Sequence, residues 1–452
     1  MNRNEEYKLL LSQLEEPPAA LEGCVEKARK KARRSRGWRT SLASLGGVAA
    51  AFVLMVNTSV PFAMACSKIP GLRELTAAVA FAPSLKAAVQ NDFLQYIGQE
   101  QSNGELTMKL DYLIFDSTQL HFFYSVSGGD YDSFHVMPTI SGPDGEELHG
   151  FSITSGMALQ GELADFGISC NDGVHLPDAL RLTCKVTARK ESIGVAPAQA
   201  SDRYSTEDPR DLGVVATFVF DLTLDPRFTT PGKTFQPEAW VTVDHQWLLI
   251  QSLEVNPTNA RLTVDFDGGN TAWCSGLDFY LTDASGNRYE SGSHLGSNSS
   301  LVSTGSGETG AVVYYLESPH FTGKTPYTLH ITGADWLDKG KEWVTVDLDK
   351  GTTQGFPQGV ELVSALREGE FLELSFSAPK ADKQLFSWTF RDENGEEFHV
   401  NSGTYSDREN EDGTTTRTYG FLLPDYTGST IDAKLNYTRM VELEEEVTLE
   451  IK

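Results

Sequence analysis

The sequence predicts a mostly β protein, a tandem of antiparallel β-sandwiches preceded by short cytoplasmic helices and one transmembrane helix. Three observations predict it. Short segments of alternating apolar and polar residues recur from Leu106 to Ile451, a charge-free stretch runs from Thr40 to Ser67, and the balance of charge reverses across that stretch. The 452 residues, at about 150 per domain, call for roughly three folded units. With 40% hydrophobic and 22% charged residues the composition is globular, which excludes a disordered, collagen-like or multi-spanning chain. A formal charge of −26 repels phosphates, so direct nucleic-acid binding by the bulk of the chain is excluded as well.

The N-terminal residues 1–37 read as a cytoplasmic, partner-binding pair of helices broken at Pro17-Pro18. Tyr7, Leu10, Leu11 and Leu14 fall at i, i+3, i+4 and i+7, one apolar stripe on the first helix. Leu21 and Val25 begin the same spacing on the second. Isolated helices of about 12–15 residues are marginal in water, so an apolar stripe on so short a piece calls for a partner surface. Eight Lys and Arg lie between Lys27 and Arg39. Lys30, Lys31, Arg33, Arg34, Arg36 and Arg39, with Trp38 as an aromatic anchor, suit a membrane interface. Cys24 is alone in this segment and no His precedes His121, so no metal site is expected there.

Residues 38–58 supply the length of roughly 20 residues that spans a bilayer, almost wholly apolar from Leu42 to Val56. The basic flank assigns the N-terminus to the cytoplasm and everything beyond about residue 59 to the outside of the cell membrane. A cleaved leader ending at Ala63-Met64-Ala65 is the rival, but 37 residues before Trp38 exceed an ordinary leader's basic region. Residues 1–40 hold ten basic against six acidic side chains, so the −26 of the whole chain becomes −30 for the remainder.

Residues 59–92 form a juxtamembrane helical segment, with Leu72, Leu75, Val79 and Ala82 in step and Pro83 interrupting. From Tyr96 the period becomes two. Leu106–Leu110, Leu182–Val186, Leu262–Phe266, Trp343–Leu348, Phe371–Phe376 and Val447–Ile451 all alternate, with turn clusters between them, as short antiparallel strands do. Ser141–Glu146, Thr282–Asn287 and Arg391–Glu396 repeat an Asp and a Gly between strand-like runs, which marks hairpin turns. Pro226 with Pro231-Gly232, and Gly351 to Gly359, read as linkers. The expected sandwiches are therefore 93–225, 226–350 and 351–452.

Chemistry is sparse. The nine His make no HExxH pair and there is no GxSxG elbow, so no catalytic residue, metal or cofactor is assigned and the chain is not expected to be an enzyme. Asp265-Phe-Asp267-Gly-Gly-Asn270 reads as an acidic hairpin turn, because calcium-loop spacing is absent. Glu442 and Glu444–Glu446 read as a charged, solvated strand edge. Cys170 and Cys184 either close a disulfide across a hairpin-sized loop, worth about 3 kcal/mol, or are buried free thiols.

The junction Asn57-Thr-Ser-Val-Pro-Phe-Ala63, Ile69-Pro-Gly-Leu72, Tyr96-Ile-Gly-Gln99 and Asn103-Gly-Glu-Leu-Thr-Met108 resembles the single-pass, anti-sigma-factor-like membrane proteins of Gram-positive bacteria. The likeness covers roughly residues 1–225. It implies an immunoglobulin-like ectodomain of unknown function and a cytoplasmic segment that holds an extracytoplasmic-function sigma factor. Tyr7, Leu10, Leu11, Leu14, Leu21 and Val25 would then occupy an apolar groove on that partner, while the β units sense or bind a ligand outside. The chain lacks the His/Cys ligands of the zinc-type members. The competing reading is a cell-surface adhesion or ligand-binding protein with a passive anchor, in which those of Trp240, Trp247, Trp273 and Trp388 that are exposed stack on sugars, most of the four being expected in the core.

Overall fold

The computed structural model describes Leu75, Val79 and, from residue 82 onward, all but residues 155, 171–173, 175, 191–210, 230, 292–309, 358, 369–370, 379–383, 401–402, 411–413 and 424–425. These residues are mostly β, with one helix, and no helix among them is long and apolar enough to cross a membrane. The expected fold class is corrected accordingly: its transmembrane helix and short cytoplasmic helices are not among the described elements, and residues 1–58 lie outside them.

The helix α1 (Pro83–Gln90) begins where proline was expected to interrupt. Proline fixes φ near −65° and lacks an N–H that the first helical turn would leave unpaired anyway, so it starts a helix better than it continues one. Upstream, the Val79 amide donates to the Leu75 carbonyl at 3.0 Å.

Unit one is built from β1 (Gln95–Asn103), β2 (Leu106–Phe115), β3 (Gln119–Gly128), β4 (Ser133–Ser141), β5 (Phe151–Ile153), β6 (Gly156–Leu159), β7 (Ala164–Cys170), β8 (Ala179–Arg189) and β9 (Asp211–Thr223). They form two antiparallel sheets, ordered β1-β2-β3-β7-β5 and β6-β4-β8-β9. Their inner faces enclose Phe122, Phe134, Phe166, Phe218 and Phe220. The second half of β2 is buried on both faces. One side lines this core, and on the other Tyr112 and Ile114, with Phe123 of β3, receive Leu75, Val79, Leu85 and Ala88 from the helical side. Cover on both faces is what removes the alternation from Asp111 to Phe115.

Unit two begins with β10 (Lys233–Phe235), β11 (Ala239–Val243), β12 (Gln246–Val255), β13 (Ala260–Phe266), β14 (Ala272–Thr282), β15 (Arg288–Glu290), β16 (Val312–Leu316) and β17 (Tyr327–Asp338). Beyond them come β18 (Trp343–Asp347), β19 (Thr352–Gln354), β20 (Glu361–Glu368), β21 (Phe371–Ala378), β22 (Phe386–Arg391), β23 (Glu397–His399), β24 (Gly403–Glu409), β25 (Thr415–Leu422), β26 (Thr430–Leu435) and β27 (Arg439–Ile451).

The sheets do not follow the expected boundary at residue 350. Unit two pairs β10 and β11 with β12, then β13 and β16, against a second sheet β15-β14-β17-β27; unit three stacks β20-β21-β25-β24 on β19-β18-β26-β22-β23. Strand β18, expected to close unit two, pairs with β26, and β27, expected to close unit three, pairs with β17. The units have exchanged their last strands. Val344 and Val346 are wholly buried in the third core and Ile451 in the second. Alternation reports that a segment is a strand and which face is buried; it is silent about the neighbour.

The exchange makes one antiparallel ribbon through both units. It runs from Tyr327↔Ile451 to Trp336↔Arg439 and resumes from Trp343↔Lys434 to Asp347↔Thr430. At the crossing the Thr438 amide donates to the Trp336 carbonyl at 2.7 Å, and the Leu435 amide to the Glu342 carbonyl at 2.8 Å. Arg439 binds Asp338 at 3.0 Å and also Asp244, at the tip of the β11–β12 hairpin.

The three turns of the internal repeat share one geometry. Gly145, Gly286 and Gly395 have φ of +89°, +82° and +81°, a region that favours glycine. Each glycine amide donates to the carbonyl three residues earlier, in Gly142, Asp283 and Asp392, at 2.9, 2.9 and 3.0 Å. Each unit thus turns its sheet edge by the same device.

Units one and two are also joined. Phe228, in the expected linker, packs edge-to-face on Phe93 and Phe115 of unit one, and Phe93 in turn meets Phe321 of unit two. Asp116, 0% exposed, accepts hydrogen bonds from both sides of this seam.

Candidate functional site

The partner stripe Tyr7, Leu10, Leu11, Leu14, Leu21 and Val25 lies outside the described residues, as do Lys30, Lys31, Arg33, Arg34, Arg36, Trp38 and Arg39. The disulfide weighed for Cys170 and Cys184 is not formed. Both are buried free thiols, Cys170 at the end of β7 in one sheet and Cys184 in the middle of β8 in the other. Burial pushes each thiol up to about 12. At neutral pH they are protonated and poor nucleophiles. Alkylation of the native protein should leave Cys170, Cys184 and Cys274 unmodified, and labelling after unfolding should recover all three by mass spectrometry.

Of the four candidate tryptophans, Trp240 and Trp247 are exposed, at 50% and 52%. Trp273 and Trp388 pack against the core of unit three. The Asp265–Asn270 segment crosses between sheets, since β13 and β14 belong to different ones, so it is not a hairpin turn. Asp267 organises it by accepting the Gly269 amide at 2.7 Å.

A polar cluster on unit two was invisible in the sequence. β14, β17 and β27 lie side by side and bring together Tyr280, Thr282, His330 and Glu446. Glu446 is bound at 3.0 Å by His330 Nδ1 and at 3.0 Å by the Tyr280 hydroxyl. A carboxylate on Nδ1 assigns the proton to that nitrogen, which leaves Nε2 to accept from the Thr282 hydroxyl at 2.9 Å. The His330 and Tyr280 rings stack at 4.5 Å, and the Arg288 guanidinium lies 3.5 Å over Tyr280.

Hydroxyl, imidazole and carboxylate stand in the order of an acyl-transfer relay. What the hydrogen bonds accomplish is attachment, because Glu446 belongs to the exchanged strand β27 and its partners to the sheet that receives it. The expected solvated edge at Glu442–Glu446 is thus an anchored one at Glu446. His330 and Tyr280 hold the Glu446 carboxyl below the usual carboxylate range. Stability from this attachment is present above the carboxyl's unfolded value and is lost as pH falls through the lower folded value. Glu446→Gln should therefore lower the melting temperature at neutral pH, and its difference from the parent should vanish in acid. Among the described residues no group of three or more His, Cys, Asp or Glu is placed to hold a metal ion.

By its described residues the chain is a mostly β protein of tandem, antiparallel two-sheet units. The family model described as a domain of unknown function (DUF4179) matches residues 32–128. The match runs from the Lys/Arg-rich stretch to the end of β3. No curated protein matches the chain in sequence. Among solved structures, a conserved domain protein from Bacillus anthracis aligns with a TM-score of 0.38 and 13% identity, over 60% of this chain and 82% of that one. The E. coli chaperone DraB aligns with a TM-score of 0.16 and 9% identity, over 48% and 86%. The YadV chaperone aligns at 0.15 and 10%, over 52% and 94%. Likenesses this distant carry no inference.

Proposed function

We propose that the chain is an anti-sigma-factor-like regulator at the cell membrane. Residues 1–37 sequester an extracytoplasmic-function sigma factor on the cytoplasmic side, and the β units sense or bind a ligand outside. The observation that carries this reading is the DUF4179 match at residues 32–128, which begins inside the basic run and covers the charge-free stretch and β1 to β3. The apolar stripe Tyr7, Leu10, Leu11, Leu14, Leu21 and Val25 supplies the partner surface, and Lys30 to Arg39 keep it at the inner leaflet. The protein acts by binding, without enzymatic chemistry, and makes no direct contact with nucleic acid.

The seam between units one and two gives an external event a route inward. α1 packs on unit one, while its Ser84 hydroxyl accepts the Ser318 amide of unit two at 2.7 Å. Movement of unit two is thereby felt at the helix from which the chain runs back towards its N-terminus. The test is a transcriptional reporter for the cognate sigma factor. Replacing Tyr7, Leu10 and Leu14 together with Asp should release transcription to the level of a deletion strain. A passive anchor predicts no change.

A further inference from the structure

The exposed tryptophans form one feature. On the β11–β12 hairpin Trp240 is opposite Leu249 and Thr242 opposite Trp247, so the two indoles are diagonal neighbours on the outer face. Diagonal positions of an antiparallel pair stand roughly 7–8 Å apart. Each is about half exposed, while the alternate residues Val241, Val243, Leu248 and Ile250 fill the core beneath. The backbone under Trp247 is clamped: its amide donates to Asn270 Oδ1 at 2.8 Å and its carbonyl accepts from Asn270 Nδ2 at 2.9 Å. A second donor, the Asp267 amide, reaches the same carbonyl at 3.2 Å. The clamp fixes the backbone that carries the Trp247 ring, so the hairpin itself loses little freedom on binding.

The surroundings select the ligand. The next strand carries Asp265, opposite Leu249, with Gln251 donating to it at 3.2 Å. Asp267 lies beside Trp247, and the exposed Glu238 lies two residues before Trp240. The Lys339 ammonium reaches the Gly268 carbonyl at 3.1 Å, but three carboxylates outnumber it, and such a face on a chain of charge −26 repels anionic lipid and polyphosphate and attracts a cation. Indole faces accept both the apolar face of a sugar ring and an ammonium group, the latter by cation–π attraction. A peptide interface builds on a contiguous, desolvated centre. Here Thr242, Gln251 and Asp265 break up the apolar surface, whereas a pyranose needs one ring face and a few hydrogen-bonding groups per unit.

We infer that the Trp240–Trp247 face binds a polysaccharide of amino sugars bearing free ammonium groups. The site belongs to unit two alone and stands whether or not residues 1–37 engage a sigma factor. The test titrates the full-length chain, purified without sugar-based detergent, with a glucosamine hexamer, followed by tryptophan fluorescence and calorimetry. Saturable binding is expected, about tenfold weaker in each of Trp240→Ala and Trp247→Ala, where 1.4 kcal/mol corresponds to tenfold. The N-acetylated hexamer, lacking the charge, should bind about tenfold more weakly to the parent. Unchanged melting temperatures establish that the variants are folded. No saturable binding, or binding indifferent to both substitutions, would overturn the proposal. So would deca-lysine binding through the same tryptophans in place of the sugar, which would make the face a cationic-peptide site.

Discussion

A chain ended after Lys350 loses its second sandwich along with its third. The truncation removes β27, which leaves the edge of β17 unpaired and takes Ile451 out of the second core, with the flanking contacts of Val441, Leu443, Val447 and Leu449. Ile451, fully buried, is worth about 1.5–3 kcal/mol, and the four half-buried side chains add smaller amounts, so the loss is a large share of the roughly 5–15 kcal/mol that holds a typical domain folded. The remedy is counterintuitive from sequence: excise the middle and keep the end. Joining Asp338 to Arg439 through Asn-Gly makes a four-residue hairpin loop between paired strands and retains every strand of unit two. Residues 1–350 should aggregate or be rapidly proteolysed within 226–350, and the excised chain should keep residues 226–338 protected. In the intact protein the two units should melt together, since a shared ribbon couples their unfolding.

Replacing Asp116 with Ala should open the seam between units one and two. One carboxylate oxygen accepts the Thr118 amide at 2.8 Å, the Thr118 hydroxyl at 2.6 Å and the Gln119 amide at 3.2 Å; the other accepts the Thr258 amide at 2.8 Å and its hydroxyl at 2.5 Å. Five donors converge on one buried anion, and a donor left unpaired in a buried site costs about 1–3 kcal/mol. Water entering the opened seam recovers part of that sum, so a loss of about 3–5 kcal/mol is expected. Asp116→Asn should do nearly as badly, because its amide group would point two hydrogens at donors. Hydrogen exchange reads the result: faster exchange confined to Thr258, Gln119 and α1 is expected, with unit three unaffected.

Much of the β architecture is legible in the sequence, for reasons the structure makes plain. Leu106–Leu110 and Leu182–Val186 alternate because one face of each meets a core, and the Asp-Gly turns recur because all three units need a residue at positive φ in the same place. What escapes is whatever depends on partners distant along the chain. His330 and Glu446 are 116 residues apart, and Thr258 is 142 from Asp116. The exchange of β18 and β27 is hidden for a related reason: the alternation of each strand specifies a buried face and not which sheet receives it. Trp240 and Trp273 likewise look alike in sequence and differ only in what lies above them.

The most direct test of the regulatory account is isolation of the full-length chain from its native cells under mild, non-denaturing conditions, with mass spectrometry of what accompanies it. A sigma factor should co-purify in near-equimolar amount and disappear when Tyr7, Leu10 and Leu14 are changed to Asp. A chain that carries no sigma factor, or carries the same amount with that stripe destroyed, would contradict the account.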